Sequence, residues 1–546
     1  MINKMAGKPV SRDMLENIPS LVSAYFTLKP NPDIKNEAVS FGTSGHRGNA
    51  YKKSFNEDHV KAISQAICDY RKEKGIDGIL YLGKDTHALS TPAQITALEV
   101  FAANEVKVAI AKDNEYIPTP LISFAILEKN KTADKLSDGV VITPSHNPPS
   151  DGGYKYNPPN GGPADTDITD MIQNRANEIL KHSLREVKSV SYEKALQLKH
   201  IMQYDYITPY VNSLNEIIDM DLIKKSGLKI AANPLGGTAM GVYKKINELY
   251  GLNIDIINPF VDPTFSFMHL DHDGKIRMDC SSAYAMRGVI ELKDKYDIAF
   301  GNDVDADRHG IVTPKGGLID PNHYLSIAIW YLFKYRDWDK NLKIGKTLVS
   351  SSMIDRVGAS LKKEVYEVPV GFKWFSNGLF EGKLGFAGEE SAGASFLRFD
   401  GSVWTTDKDG IILDLLSAEI LAKTKKDLSD IYSDFEKEFG KSYYERIDAP
   451  ASKEQKEILK KIDPKDINEK TIGGEEIECI YTKASGNGAK IGGLKIVSKN
   501  GWVALRPSGT EDIYKIYAES FISKEHLKSL QQEARNIVKK IFKDKL

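Results

Sequence analysis

The 546-residue chain has only three cysteines, Cys68, Cys280 and Cys479, far apart and in no metal-binding or redox spacing. So few thiols in so long a chain fit a reducing compartment. Long apolar runs are missing too. The strongest, Tyr324 to Phe333, is about half the ~20 residues a membrane-spanning helix needs, and reads as a buried helix. The first twenty residues lack the apolar core of a signal peptide. Charge of one sign is absent: 74 basic against 75 acidic residues leave −1, which gives no reason to expect nucleic acid or an anionic membrane. Low-complexity tracts and short-period repeats are absent as well, so a solenoid is excluded. A cytoplasmic protein without nucleic-acid or membrane partners is expected.

What is present suits a large α/β protein. Hydrophobic residues make up 41% of the chain, enough for several cores, and roughly 150 residues per domain gives three or four domains. Short apolar runs read as buried strands at Ile79–Leu82, Val106–Ile110, Gly139–Ile142, Leu228–Ala232, Ile254–Ile257, Tyr296–Phe300 and Thr347–Ser350. Helical patterns lie between them at His59–Tyr70, Pro92–Asn104, Ile168–Leu180 and Val242–Tyr250. This alternation predicts parallel or mixed sheets, with ligands beyond the carboxyl ends of the strands. The last hundred residues differ. Leu494–Val497 and Trp502–Leu505 predict a hairpin turning at Asn500-Gly501, and Ile513–Ala518 a further strand. Leu527, Leu530, Ala534, Ile537 and Ile541 mark one face of a closing helix.

Four loops carry chemistry. Thr143-Pro144-Ser145-His146-Asn147-Pro148 follows an apolar strand and holds a serine between two stiffening prolines. Asp303-Val304-Asp305-Ala306-Asp307-Arg308 spaces three carboxylates so that an extended chain points them to one side, where a hard cation such as Mg²⁺ would neutralise them. A calcium loop of the EF-hand kind is excluded, because its glycine and glutamate positions hold Arg308 and Pro314; a solvated acidic turn is the bland alternative. In Gly388-Glu389-Glu390-Ser391-Ala392-Gly393 a carboxylate and a hydroxyl between glycines suit sugar hydroxyls. Arg506-Pro507-Ser508-Gly509-Thr510 can surround a phosphate, or simply form a β-turn. Phe41 to Gly48 adds His46 and Arg47 on a Gly-rich segment that is neither GxxxxGK[ST] nor GxGxxG. Lys155, among prolines and aromatics and near other cations, is read as a lysine of lowered pKa able to move protons.

Together and in this order, these segments resemble the α-D-phosphohexomutase family, most closely its bacterial α-phosphoglucomutases, from residue 41 to beyond 506. The resemblance implies an α/β architecture of four domains around a central cleft, three similar mixed-sheet α/β domains and a C-terminal α+β domain, here at 1–205, 206–320, 321–440 and 441–546. It implies that Ser145 is the phosphoserine and that Asp303, Asp305 and Asp307 bind one Mg²⁺, with Ser145 among its ligands. Lys155 would be the general acid/base, with His46, Arg47 and Arg308 beside the phosphoserine. Glu389 and Ser391 would read the sugar, while Lys373, Lys408, Arg506, Ser508, Gly509 and Thr510 would hold substrate phosphate. The implied reaction interconverts α-D-glucose 1-phosphate and glucose 6-phosphate through glucose 1,6-bisphosphate, in a monomer or homodimer. Glu511-Asp512, directly after the phosphate loop, departs from the pattern of the eukaryotic members and leaves the edge of that cradle open. Phosphomannomutase or phosphoglucosamine mutase activity, phosphoserine phosphatase chemistry and silent sugar-phosphate binding are the alternatives.

Overall fold

Strands Leu80–Lys84, Asp138–Ile142, Ile230–Asn233, Ile298–Asn302 and Leu384–Glu389 are buried at every residue. A strand buried on both faces needs cover on both faces, which parallel crossovers through helices supply. The computed structural model describes residues 2–42, 45–508 and 512–545 and places these strands in three successive mixed sheets, followed by a fourth that is antiparallel throughout.

The three mixed sheets share one device. In the first, Asp138–Ile142, Leu80–Lys84, Val108–Ala111 and Ile201–Tyr204 run parallel, while Asp151–Asn157 and His46–Asn49 add antiparallel strands at the other edge. In the second, Ile298–Asn302 lies parallel to Ile230–Asn233 and folds back antiparallel into His309–Thr313. In the third, Leu384–Glu389 lies parallel to Lys343–Thr347 and folds back into Gly393–Phe396. Each domain therefore turns from a parallel strand into an antiparallel partner, and the turn sits where ligands bind in such sheets. Those three turns hold Ser145, the three aspartates and Glu390-Ser391.

The fourth sheet is covered by helix Lys524–Lys545, whose Leu527, Leu530, Ala534, Ile537 and Ile541 are buried against Leu494, Ile496, Val503 and Leu505. Its hairpin turns one residue earlier than expected. Gly501 is paired with Ser498, leaving Lys499 and Asn500 as the turn. The glycine is needed for close packing, since a Cβ there would lie 2.8 Å from Leu530 Cδ1 and 2.9 Å from Glu519 O. The strand expected at Thr347–Ser350 is shifted as well, to Lys343–Thr347. Its lysines hid it: Lys346 is buried in ion pairs with Asp355 and Glu367. Leu348 and Val349, expected in the strand, leave the sheet and pack on Trp502, Ala504 and Tyr517 of the fourth domain.

That junction is held by Glu519. Its buried carboxylate accepts from Ser351 Oγ, from Ser352 N at 2.7 Å, from Ser442 Oγ at 2.6 Å and from Trp502 Nε1 at 2.8 Å. Glu519→Leu leaves several donors without an acceptor and is expected to lower the first unfolding transition in denaturant by about 3 kcal/mol. An unchanged transition would mean that those donors find other acceptors. Among the described residues no helix is long and apolar enough to cross a membrane. The run Tyr324 to Phe333 lies within helix Pro321–Tyr335, most of which is buried.

Candidate active site

Ser145 sits in the turn of the first hairpin at φ +60°, an unusual backbone for a residue with a Cβ and a cost of about 1–2 kcal/mol. It is 1% exposed. Its N–H donates to Thr143 Oγ1 at 2.8 Å and its hydroxyl donates to Asp303 Oδ2 at 2.7 Å, across the first and second domains. The strand Asp151–Asn157 closes on the turn so tightly that a Cβ on Gly153 would lie 2.1 Å from Thr143 O. His146 Nδ1 is 3.4 Å from the serine oxygen. Burial, then Arg308 nearby, pull His146 down to about 3, so the ring is neutral.

The aspartates do not converge by strand alternation. Residues 303–308 form a turn, with Ala306 at φ +54°, and the curl brings one oxygen of each carboxylate within 4.8 Å of the others. Three helix amino ends grip it: Val304 O accepts from Thr238 N (2.8 Å), Asp305 O from Thr119 N (2.9 Å) and Ala306 O from Gly410 N (3.0 Å). They belong to helices Ala239–Tyr250, Thr119–Asn130 and Gly410–Thr424, one from each α/β domain, and their positive ends moderate the acidic cluster. Burial, then Asp305 and Asp307, push Asp303 well above the usual carboxylate range. Burial also raises Asp307, but Lys155, Lys408 and Arg308 outweigh it and hold that carboxyl far below. Asp305 Oδ1 and Asp307 Oδ1 are buried without a hydrogen-bond partner among the described residues. Hard oxygens converging with unspent acceptor capacity fit Mg²⁺. Among the described residues this is the one cluster able to hold a metal.

Lys155 differs from expectation. Its ammonium donates to Asp305 Oδ2 at 2.6 Å and Asp307 Oδ2 at 3.2 Å. Burial pulls it down, but the two carboxylates outweigh burial and hold it above the usual lysine range. Lys408 Nζ is 3.1 Å from Asp307 Oδ2 and lies 5.6 Å over the Phe372 ring. Arg308 stands 3.8–4.0 Å from Asp279, Asp303 and Asp307. Arg47 reaches Asn147 Oδ1 at 3.4 Å, beside the serine. Its strand neighbour His46 points the other way, as alternation requires. It stacks on His59 and Phe55, with ring centroids 5.3 and 6.0 Å apart, in the first-domain core. Burial, then the neighbouring His59, lower it to about 3.

The third turn places Glu389 against Gly371, whose N–H donates to Glu389 Oε1 at 2.9 Å. Burial lifts this carboxyl to about 7 despite Lys408 nearby. Ser391 is half-buried at the apex of the turn. Lys373 is turned away from the aspartates: its ammonium bonds Thr166 Oγ1 of the first domain and lines a cavity of about 760 Å³ with Asp165, Asp167 and Trp374. In the fourth domain Arg506 lies one residue before the end of strand Gly501–Pro507, its buried Nε without a hydrogen-bond partner among the described residues, and Ser508 is buried. Gly509 and Thr510 lie outside the described residues, as does Glu511.

Sequence reasoning passed over His146, Asp279, Thr119, Asp85 and His87. A signal existed for the last two: Asp85-Thr86-His87 is a polar run at the carboxyl end of a buried strand, as TPSHNP is. Thr119-Pro120 carries the Pro-at-first-turn signature of a helix start. Asp279 lies in no motif.

Comparison with known proteins agrees with this fold. Models of the phosphoglucomutase/phosphomannomutase alpha/beta/alpha domains I, II and III match residues 38–183, 208–316 and 320–439, and that of the C-terminal domain matches 454–537. A phosphoglucomutase of Komagataeibacter xylinus is 57% identical over 543 residues, covering 99% of this chain and 98% of that protein. Phosphoglucomutase 1 of Drosophila melanogaster is 28% identical over 431 residues, 74% of this chain and 73% of its own. The fold is shared with a putative phosphomannomutase from Thermus thermophilus, at TM-score 0.71 and 24% identity over 93% of this chain and 100% of that one. It is also shared with the open form of parafusin from Paramecium, at TM-score 0.72 and 22% identity over 94% and 96%. Four domain models matched in order and an alignment spanning nearly the whole chain leave one conclusion: this chain belongs to the phosphoglucomutase/phosphomannomutase family.

Proposed function

We propose that this chain interconverts α-D-glucose 1-phosphate and glucose 6-phosphate, with Ser145 as the phosphoryl carrier. The observation that carries the reading is the 2.7 Å contact between Ser145 Oγ and Asp303, inside a cluster whose Asp305 and Asp307 keep unpartnered oxygens. Phospho-Ser145 gives its phosphoryl group to the free hydroxyl of the bound monophosphate. The bond from phosphorus to the serine oxygen breaks, a bond to the sugar oxygen forms, and the proton of the sugar hydroxyl is balanced by one gained at the serine oxygen. The product, glucose 1,6-bisphosphate, turns over, and Ser145 takes back the other phosphoryl group.

Asp303, Asp305 and Asp307, with Ser145, would hold Mg²⁺, which would supply positive charge to offset that of the transferred phosphoryl group. Arg308 and Arg47 add fixed cations beside the serine, oriented before the reaction starts. Lys155, held protonated by two carboxylates, is set to give a proton rather than to take one. Glu389 and Ser391 take the sugar hydroxyls. Arg506 and Ser508, with Gly509 and Thr510, take the phosphate that is not reacting, while Lys373 and Lys408 contact substrate phosphate, Lys408 from its place beside Asp307. The four loops come one from each of the domains 1–205, 206–320, 321–440 and 441–546, in a cytoplasmic enzyme that is a monomer or homodimer. The rival sugars and silent binding are not favoured, because the relative at 57% identity is a phosphoglucomutase along its length.

A coupled assay with glucose, mannose and glucosamine 1-phosphates tests the reading: glucose 1-phosphate should give the highest kcat/KM, and a preference for either other sugar would overturn it. Glu389 gives a second test. With its carboxyl at about 7, it loses the charge that accepts sugar hydroxyls as pH falls from 8 to 6, so KM should rise over that span. In Glu389→Gln the rise should disappear and KM should be high throughout. A wild-type pH profile in the variant would remove Glu389 from sugar binding.

A further inference from the structure

The serine turn is clamped from behind by two buried residues that the reaction as written does not use. Asp85, at the end of strand Leu80–Lys84, is fully buried and accepts four hydrogen bonds. They come from His87 N (2.9 Å), His87 Nδ1 (2.8 Å), Ser90 Oγ (2.5 Å) and Thr143 Oγ1 (2.6 Å). His87 Nε2 lies 2.9 Å from the backbone carbonyl of Asn147. The residues two before and two after Ser145 are therefore both tied to this pair. Thr143 Oγ1 accepts from the Ser145 N–H while giving its own proton to Asp85, so the chain of bonds runs through the serine backbone itself. A fourth tie fixes the clamp to the second domain, where Thr86 Oγ1 donates to Gly236 O at 2.8 Å.

Donor counting sets the charges. Asn147 O can only accept, so Nε2 of His87 carries a proton. The backbone N–H of His87 and the hydroxyls of Ser90 and Thr143 all donate to Asp85, as they would to an ionised carboxylate, and a proton placed on Nδ1 completes the four. Resting on the assignment of Ser145 as phosphoryl carrier, we propose that Asp85 and His87 form a buried carboxylate–imidazolium pair that positions Ser145, holding it in its left-handed backbone through Thr143 and Asn147. Burial opposes a charge on His87, but the adjacent Asp85 outweighs it and, with Asp151 farther off, raises the ring above the usual histidine range. A left-handed serine persists only where its surroundings over-determine it, and this pair with Asp303 supplies three such ties. Asp85 and His87 touch no reacting atom; they are positioning residues.

Thr143 separates positioning from mere stability. Thr143→Val keeps the shape but loses the hydroxyl link, and kcat should fall ~10- to 100-fold with KM within about twofold, as for a misplacement on the order of 1 Å. Thr143→Ser restores the hydroxyl and should return kcat to within about threefold of wild type. His87→Gln removes the charge and should lower kcat over the same ~10- to 100-fold range, and it carries the test alone should Thr143→Val not fold. In full-length protein labelled with ¹⁵N-histidine, the His87 signals, assigned by their loss in His87→Gln, should show both ring nitrogens protonated at pH 7.5. Wild-type kcat in Thr143→Val and His87→Gln, equal losses in Thr143→Val and Thr143→Ser, or an unprotonated His87 nitrogen would each overturn the proposal. Ser145→Ala in the same assay keeps the two readings apart. An active Ser145→Ala enzyme would defeat the carrier assignment, whereas an inactive one beside a wild-type Thr143→Val would defeat only the clamp.

Discussion

Ser145→Ala is expected to lower mutase turnover by roughly 10⁴-fold or more, while the protein stays folded. Both phosphoryl transfers pass through the serine oxygen, so its loss removes the covalent route rather than weakening one contact. No neighbour can replace it. The Thr143 hydroxyl is committed to Asp85, and His146, though 3.4 Å away, cannot occupy the same point against Asp303. The fold should survive because alanine keeps the Cβ and the same backbone cost at φ +60°. What is lost is one donor to Asp303, about 1 kcal/mol. The check is a coupled assay together with intact-protein mass after incubation with glucose 1,6-bisphosphate. Wild-type protein should gain one phosphate at Ser145 and the variant none. Turnover within tenfold of wild type would remove Ser145 from the reaction.

Asp305→Asn is expected to have the next largest effect, lowering Mg²⁺ affinity and kcat each by about 100-fold or more. Asparagine keeps the shape and an acceptor for Thr119 Oγ1, so the grip of the first-domain helix on the turn should persist. What disappears is one negative charge from a cluster whose balance is close. Lys155 then keeps an ion pair only with Asp307, at 3.2 Å, and the metal loses one of three carboxylates. Calorimetric titration with Mg²⁺ reads affinity independently of turnover. Unchanged affinity would place the metal elsewhere; unchanged turnover with weakened binding would make the metal dispensable.

Much of the site was legible because its loops are short, polar and punctuated by proline or glycine after apolar strands. TPSHNP and DVDADR stand out from any core segment, and Ser145, Asp303, Asp305 and Asp307 do meet. Other parts were hidden for identifiable reasons. His46 and Arg47 are adjacent in sequence, yet strand alternation sends one into the core and the other to the serine. Lys155 reads in the sequence as a lysine depressed by burial and neighbouring cations, but its environment is set by two carboxylates some 150 residues away. Lys346 and Lys343 disguised a strand, because the acids that allow a lysine to be buried come from other elements.

The sequence alone determined most of the buried strands, the polar turns that follow them and the chemical groups those turns carry, because apolar runs and turn residues act locally; it misplaced Lys343–Thr347 and the turn before Gly501, and Asp255–Ile256 is a strand that is not buried. It also determined that the last hundred residues form a different module, since their periodicities differ. Only the tertiary structure decided the partners. Ser145 and Asp303 are 158 residues apart, and nothing local sets the 2.7 Å between them. Charge states were likewise decided by packing: burial raises Glu389 and Asp303, while paired cations hold Asp307 down. The aspartates meet through a turn gripped by helices of three domains, not through the alternation that their spacing suggested. Spacing specifies what a loop can do; the low-dielectric interior and the groups folded against it specify what each side chain is.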